Sequence, residues 1–310
     1  MSAAAPAAVA GRAARRDAGA GGRVNTLPLV APSVILLLAW SLIPLAMTLF
    51  FSFRRYNLLN PMIRGWAGFN NYLYLFADPA LLSALLTTVE IVLAVLAITV
   101  GLGAVLAALF EVPFPGRGVA RVLFISPFFV MPTVSALVWK NLLMQPVNGL
   151  FAFLARGVGL PAVDWFTDLP LASVIIIVAW QWLPFAFLIL FTAIQSLDQE
   201  QKEAAKIDGA GPFSMFFYIT LPHLRRAIAV VVMMETIFLL SIFAEIYTTT
   251  GGGPGNATTN LSYLIFSLGL QQFDVGLASA GGILAVVLAN IVSFFLVRML
   301  AKNLKGEYEK

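Results

Sequence analysis

Long stretches of this chain carry no charged side chain at all: 29–53, 91–110, 169–197 and 275–297, with a shorter one at 227–234. The hydrocarbon core of a bilayer takes about 20 apolar residues of helix. Inside it every backbone N–H and C=O needs a partner within the protein, which a helix supplies to itself. Overall 60% of the 310 residues are hydrophobic and 11% charged, against roughly a quarter charged in an ordinary soluble domain. The apolar–polar alternation of a membrane β-barrel is absent. The pattern predicts an all-α integral membrane protein.

Six transmembrane helices are expected, at 29–53, 82–110, 119–144, 169–194, 227–247 and 275–300. The first follows Arg12, Arg15, Arg16 and Arg23, as a signal peptide would. Its apolar run outlasts the roughly 7–15 residues of a signal core, and no small-residue cleavage pattern follows, so it reads as an uncleaved span. Residues 1–26, dominated by Ala, Gly and Arg, are expected to form a disordered tail. Residues 27–303 then make the transmembrane body and 304–310 a short second tail.

Lys and Arg gather on the cytoplasmic side of membrane proteins. With the N-terminal tail inside, the outer segments hold only Arg54, Arg55, Arg64, Lys140 and Arg156 of the 19 basic residues. Both termini and the segment 195–226 are therefore expected in the cytoplasm. Lys140 is expected to snorkel to the outer interface beside Trp139.

Several function classes fall away. The net charge of +4 follows the loops rather than one patch, so it reads as topology and not as nucleic-acid binding. There is no cysteine and only one histidine, His223, which leaves no thiolate or multi-histidine metal centre. His223 itself reads as a structural hydrogen-bonder. No phosphate-binding loop of the form GxxxxGK[ST] occurs, and the glycine cluster 251–255 is interrupted by Pro254. No catalytic residue, cofactor or metal is expected. Segment 195–226 is the longest well-mixed polar connection, rich in helix formers and broken by Gly209 and Pro212. It predicts a short exposed helix, a turn and a second helix on which a soluble partner docks.

At this point the residues resemble a known family. Glu203-Ala204-Ala205, Ile207-Asp208-Gly209-Ala210, Phe216 and Ile219-Thr220-Leu221-Pro222 are similar to the EAA loop of carbohydrate ABC importer permeases. Thr250 to Thr258 resembles the outer loop before the last span of the same permeases, and Gly68-Phe69-Asn70-Asn71-Tyr72 also has its counterpart there. The resemblance implies a type I importer permease fold in the bacterial inner membrane. It assigns ATPase coupling to Glu203, Ala204, Ala205, Asp208, Gly209, Ala210, Ile219, Leu221 and Pro222, and binding-protein contact to Gly251, Gly252, Gly253, Pro254, Gly255 and Asn256. The implied partners are a cytoplasmic ATP-binding subunit dimer, a second and non-identical permease, a periplasmic solute-binding protein and membrane lipid, with no nucleic acid. The chain departs from the family in carrying fewer basic residues in the loop, and Arg226 stands where a second proline is common.

Within the loop, Ala204 and Ala205 are small enough for close approach of a partner, Glu203 and Asp208 offer charged contacts with Lys206 between them, Gly209 relieves the helix and Pro212 ends it. The competing reading is an amphipathic helix lying on lipid, for which Phe213, Met215, Phe216 and Phe217 speak.

Candidate pathway residues are Glu235, Asn290, Gln181 and Trp182; Trp180 pairs with Trp182, while Glu90 and Glu245 also fall within or at the ends of spans and are expected at the interface and at the outer mouth. A carboxylate at mid-span costs about 3 kcal/mol, so these groups need a pathway, a packing partner or a second subunit. No lysine or arginine lies in the middle of a span, which favours a neutral, hydroxyl-rich solute over an anionic one. Residues 258–265 and 271–282 resemble permeases for sugar alcohols of the sorbitol and mannitol type. Another sugar or glycerol phosphate stays open, as do an ion-coupled secondary transporter and a membrane-embedded enzyme. Ala278, Ala280, Gly281 and Gly282 are expected to serve close helix packing.

Overall fold

The computed structural model describes residues 27–60, 62 and 64–305. The expected tail at 1–26 and residues 306–310 lie outside them. By its internal contacts the chain divides into a unit ending at Met47 and a unit that starts at Thr48. Helix α1 (Leu27–Ser52) has Pro32 and Pro44 inside it. In its part before Met47 the large side chains of Ile35, Leu36, Leu37 and Trp40 are all exposed.

The second unit begins with a feature that the all-α expectation omits, an antiparallel hairpin of β1 (Arg54–Tyr56) and β2 (Arg64–Trp66). It is held by α2 (Asn70–Ala77). The buried amide of Asn71 donates to the carbonyls of Ser52 (2.8 Å) and Arg54 (2.9 Å), and the Tyr72 hydroxyl donates to Ser52 Oγ (2.7 Å). Asp78 then caps α3 (Pro79–Leu109), its carboxylate accepting from Ala80 N–H at 2.8 Å, with Pro79 at the first helical position.

After α3 come α4 (Arg117–Ile125), α5 (Pro132–Val138), α6 (Leu150–Gly157), α7 (Trp165–Asp168) and α8 (Pro170–Gln195). The polar segment holds α9 (Gln199–Ile207), α10 (Pro212–Met215) and α11 (Leu221–His223). The chain ends with α12 (Arg225–Leu239), α13 (Ala244–Thr249), α14 (Leu261–Phe266) and α15 (Val275–Lys305).

Helices α3 and α8 pack along their lengths and carry the core. A Cβ on Gly103 would stand 3.2 Å from the Cβ of Ala186, so the absence of a side chain sets how closely the two helices approach. On one side of that contact Val95, Val174, Val178, Leu239 and Ile246 form a buried cluster. On the other, Phe187, Leu190, Ile194, Leu224 and Val231 form a second. Glycines near the start of α15 act similarly: a Cβ on Gly281 would come 3.0 Å from Ile265 of α14, beside fully buried Ala280.

Among the described residues four single helices are long and apolar enough to cross a membrane: Val30–Ser52, Pro79–Leu109, Pro170–Gln195 and Val275–Met299. Two bent pairs bring the number to six. Expected span 119–144 is the first of these, Arg117–Phe129 and Pro132–Leu143, bent by 107°. Pro127 and Pro132 bracket the break, where a ring replaces each N–H and bars a continuous helix. Expected span 227–247 also differs. Its helix stops at Leu239, while the preceding segment Pro212–His223 leads into it across a 64° bend. The carbonyls freed at the stop are taken up from elsewhere: Asn260 Nδ2 donates to Ile242 O (2.6 Å) and Ser262 Oγ to Leu240 O (3.2 Å). The segment before α15, expected outside, is likewise no simple loop, because Leu261–Gln271 is a short apolar helix with Leu261, Tyr263, Leu264 and Leu268 buried.

Candidate coupling site, outer loop and pathway residues

The polar segment folds as a helix, a turn and a second helix. Asp198 caps α9 by accepting from Glu200 N–H at 3.0 Å. At the other end Gly209 N–H bonds the Lys206 carbonyl (3.1 Å) and Ala210 N–H bonds the Ala205 carbonyl (2.9 Å), the paired bonds of a Schellman termination. Gly209 sits at φ +84, the left-handed conformation this ending needs. The division of labour therefore differs from the sequence expectation. Gly209 ends the first helix, and Pro212, at the first position after the Gly211 cap, starts the second.

Glu203, Ala204 and Asp208 are exposed, with Ala205 and Ala210 half-buried. In the return segment Ile219 and Leu221 are half-buried and Pro222 is exposed. The large side chains of Ile207 (86%), Phe213 (82%) and Tyr218 (80%) stand almost wholly free. Met215 and Phe216, by contrast, are half-buried and help line a groove of about 760 Å³ against Leu109 and Val112. Only part of the aromatic content that suggested a lipid-lying helix thus faces outward. His223 Nε2 lies 3.1 Å from Ser196 Oγ and 3.0 Å from the Ala193 carbonyl, tying the end of the loop back to α8 as a structural hydrogen-bonder.

One contact has no counterpart among the sequence expectations. The ammonium of Lys202 forms an ion pair with the carboxylate of Glu111, just past the end of α3. Lys202 is the one residue of α9 that is buried. The partner lies 91 positions away, so no local pattern marks it.

On the opposite flank of α12 and α13, the Gly251–Asn256 loop is drawn tight by its neighbours. Thr250 and Thr258 hydroxyls meet at 2.6 Å, Thr258 N–H donates to the Gly252 carbonyl (3.1 Å), and Thr259 Oγ1 donates to the same carbonyl (3.1 Å). Gly252 has φ +85, and a Cβ there would stand 2.6 Å from both Thr259 Oγ1 and Tyr263 Cε1. The loop borders a cavity of about 310 Å³ lined by Asp78, Asn256, Thr259, Tyr263, Ser267 and Gln271, among others. Lys140, expected at the outer interface beside Trp139, reaches the end of α13 that leads into this loop. Its ammonium donates to the carbonyls of Thr248 (3.1 Å) and Thr249 (2.7 Å), closing the C-terminus of α13, where carbonyls lack helical partners.

The four pathway candidates have separate surroundings. Glu235 is fully buried, its Oε2 accepting from the Thr99 hydroxyl at 2.6 Å and its Oε1 without a partner among the described residues. Gln181 donates to the Val130 carbonyl at 2.8 Å, which holds α8 to the break in the third span. Trp182 belongs to an aromatic cluster, with ring centroids 5.8 Å from Phe128, 6.0 Å from Phe185 and 5.3 Å from Phe238. Asn290 lies on an exposed face of α15 and donates to its own helix at Val286 O. Glu90 is exposed on α3, and Glu245, expected at the outer mouth, is buried in α13.

Comparison with known proteins agrees with this architecture. Residues 99–306 match the family described as binding-protein-dependent transport system inner membrane component. A probable ABC transporter permease of Sinorhizobium fredii (strain NBRC 101917 / NGR234) is 32% identical over 86% of this chain and 86% of its own length. The trehalose/maltose transport system permease MalF of Thermococcus litoralis (strain ATCC 51850 / DSM 5473 / JCM 8560 / NS-C) is 32% identical over 87% of this chain and 90% of its own. Among solved structures, a chain of a bacterial ABC transporter involved in import of the acidic polysaccharide alginate superposes with TM-score 0.75. That match has 23% identity and covers 89% of this chain and 94% of that one. With six candidate spans, a Schellman-closed helical element between α8 and α12 and these relatives, the chain belongs to the family of binding-protein-dependent transport inner membrane components, with the fold of an ABC type I importer permease.

Proposed function

We propose that this chain is one permease subunit of an ATP-driven importer that carries a neutral, hydroxyl-rich carbohydrate, of the sugar-alcohol class, across a bacterial inner membrane. The observation that carries the reading is the α9–α10 element. It is a well-terminated helical pair with large apolar side chains free at Ile207, Phe213 and Tyr218, set between two spans of a protein with no nucleotide-binding motif of its own. Such a surface suits the cleft of a cytoplasmic ATP-binding subunit, with Glu203, Ala204, Ala205 and Asp208 at the contact. ATP binding in a pair of those subunits would move the element as a near-rigid body, and the permease would alternate between inward- and outward-open states. The Gly251–Asn256 loop takes the periplasmic binding protein. A second permease completes the pore, and both termini lie in the cytoplasm, following the basic residues.

For the solute, the support is chemical. The spans lack a central cation, and Trp182 with Phe128, Phe185 and Phe238 offers aromatic faces for C–H packing against a sugar or polyol. One relative is a trehalose/maltose transport system permease, which keeps disaccharides as the comparison class. Residues Thr258, Thr259 and Asn260, part of the sugar-alcohol resemblance, are hydrogen-bonded into the loop and helix stop, so solute contacts are assigned elsewhere.

The test is reconstitution of the full complex in proteoliposomes with its binding protein. ATP-dependent uptake of sorbitol or mannitol is expected, lost when the binding protein is omitted. Uptake that persists without ATP while an ion gradient stands would overturn ATP coupling. Uptake of maltose or glycerol 3-phosphate but of neither polyol would reassign the solute class.

A further inference from the structure

Helix α9 lacks the usual means of attachment. An amphipathic helix is normally held by an apolar stripe, yet here the only buried residue is Lys202, and the largest apolar side chain, Ile207, points away with 86% of its surface free. A lysine is rarely buried without a partner. Glu111 supplies one from the inner end of α3, where its own N–H bonds the Ala108 carbonyl at 3.2 Å and keeps it on the last turn. A carboxylate in that place is disfavoured by the negative end of the helix dipole. The ammonium of Lys202 offsets that cost, so each charge accounts for the burial or placement of the other.

We propose that the Lys202–Glu111 ion pair is a clamp through which movement of the coupling helix enters α3 directly, in addition to passing along the chain into α12. The clamp rests on the importer reading given above. Its geometry is specific because α3 is the element that the rest of the core shares. Thr99 bonds Glu235 of α12, and Gly103 admits Ala186 of α8. A displacement of α9 carried to Glu111 thus reaches three spans together. Beside the pair, the groove between Val105, Leu109 and Val112 on one wall and Met215 and Phe216 on the other leaves space of about 760 Å³. Without the clamp, α9 and the following turn have room to shift toward α3 without pushing it. A directional ion pair resists such slippage better than an apolar contact, which is indifferent to small sliding.

The test uses the complete complex with Lys202→Met, Lys202→Arg and the charge exchange Lys202→Glu with Glu111→Lys. Co-purification of the ATP-binding subunit measures assembly, and solute delivered per ATP hydrolysed measures coupling. Lys202→Met is expected to assemble and hydrolyse ATP while delivering on the order of tenfold less solute per ATP. Lys202→Arg and the exchanged pair are expected to recover most of the ratio. An unchanged ratio in Lys202→Met, or an exchanged pair no better than the single variant, overturns the clamp. A second measurement covers a variant that fails to assemble. Spin labels at Glu200 and Val112 of the otherwise native complex should keep one separation through the nucleotide cycle, and a changing separation overturns the proposal. Absence of ATP-driven uptake by the native complex would instead count against the importer reading, which the constant separation does not test.

Discussion

The hydroxyl of Thr99 on α3 donates to Oε2 of Glu235 on α12 at 2.6 Å, and both residues are fully buried. Among the described residues Glu235 Oε1 has no partner, so this bond is the polar compensation that the carboxyl receives from them. Thr99→Val should therefore lower stability by about 1–3 kcal/mol, the cost of stranding a buried polar group, whereas Thr99→Ser should stay near the native value. Thermal unfolding in detergent or nanodiscs reads the difference. Equal midpoints for the valine and serine variants would show that the bond contributes little.

Gly209 has φ +84 but open space around a would-be Cβ, so substitution there meets backbone strain and no clash. Strain of about 1–2 kcal/mol is expected for an L-residue in this conformation, and asparagine tolerates it better than a β-branched residue. Gly209→Val should weaken association with the ATP-binding subunit and ATP-driven uptake while leaving membrane insertion intact. Gly209→Asn should be mild. Equal behaviour of the two would remove the helix termination from the coupling mechanism.

Glu203 is exposed, and its carboxylate has no hydrogen-bond or ion-pair partner among the described residues. Glu203→Lys should leave the unfolding midpoint of the isolated chain where it is and reduce co-purification of the ATP-binding subunit. Full ATP-driven transport by this variant would remove Glu203 from the docking surface.

Gly252 combines φ +85 with crowding, its hypothetical Cβ lying 2.6 Å from Thr259 Oγ1, whereas Gly255, at φ +65, faces open space. Gly252→Ala should disorder the outer loop and abolish stimulation of ATP hydrolysis by the binding protein. Gly255→Ala should act more weakly, through backbone strain alone. A reversed order in that stimulation assay would contradict the packing described for the loop.

Lys140 contributes two charge-assisted bonds to the end of α13. Lys140→Met should cost about 1–3 kcal/mol in the unfolding assay, in the range of hydrogen bonds to charged groups. An unchanged midpoint would show that these two bonds contribute little.

The sequence reading succeeded where one physical constraint dominates. Spans near 29–53, 82–110, 169–194 and 275–300 are uninterrupted apolar helices, because hydrophobic length alone specifies them. The break in the third span had a local signal in Pro127 and Pro132 that a hydropathy count overrides. The stop at Leu239 had none. No proline or glycine lies between Leu239 and Ala244, and the freed carbonyls are satisfied by Asn260 and Ser262, some twenty positions on. The α9–α10 element was legible in outline because caps and terminators are local, as Asp198, Gly209 and Pro212 show. Lys202 was not, since its role depends on a glutamate at the end of another span. For the same reason Glu235, Gln181, Trp182 and Asn290 could be nominated from polarity but not grouped, and in the fold each answers to different neighbours.

A helix whose sole inward anchor is one lysine is also the part of the chain with least to lose by letting go. Local opening follows the scarcity of buried apolar contacts, so in a copy that has found no ATP-binding partner the 198–213 stretch should open before the rest of the 27–303 body and be the first site within it that a protease nicks. Assembly would then shield the same residues, Ile207 and Phe213 included. The subunit would thereby carry a built-in mark of its own orphan state, erased by the partner it is shaped to meet. Limited proteolysis of the lone chain and of the complex would show it, and first cleavage elsewhere within residues 27–303 of the lone chain would argue against it.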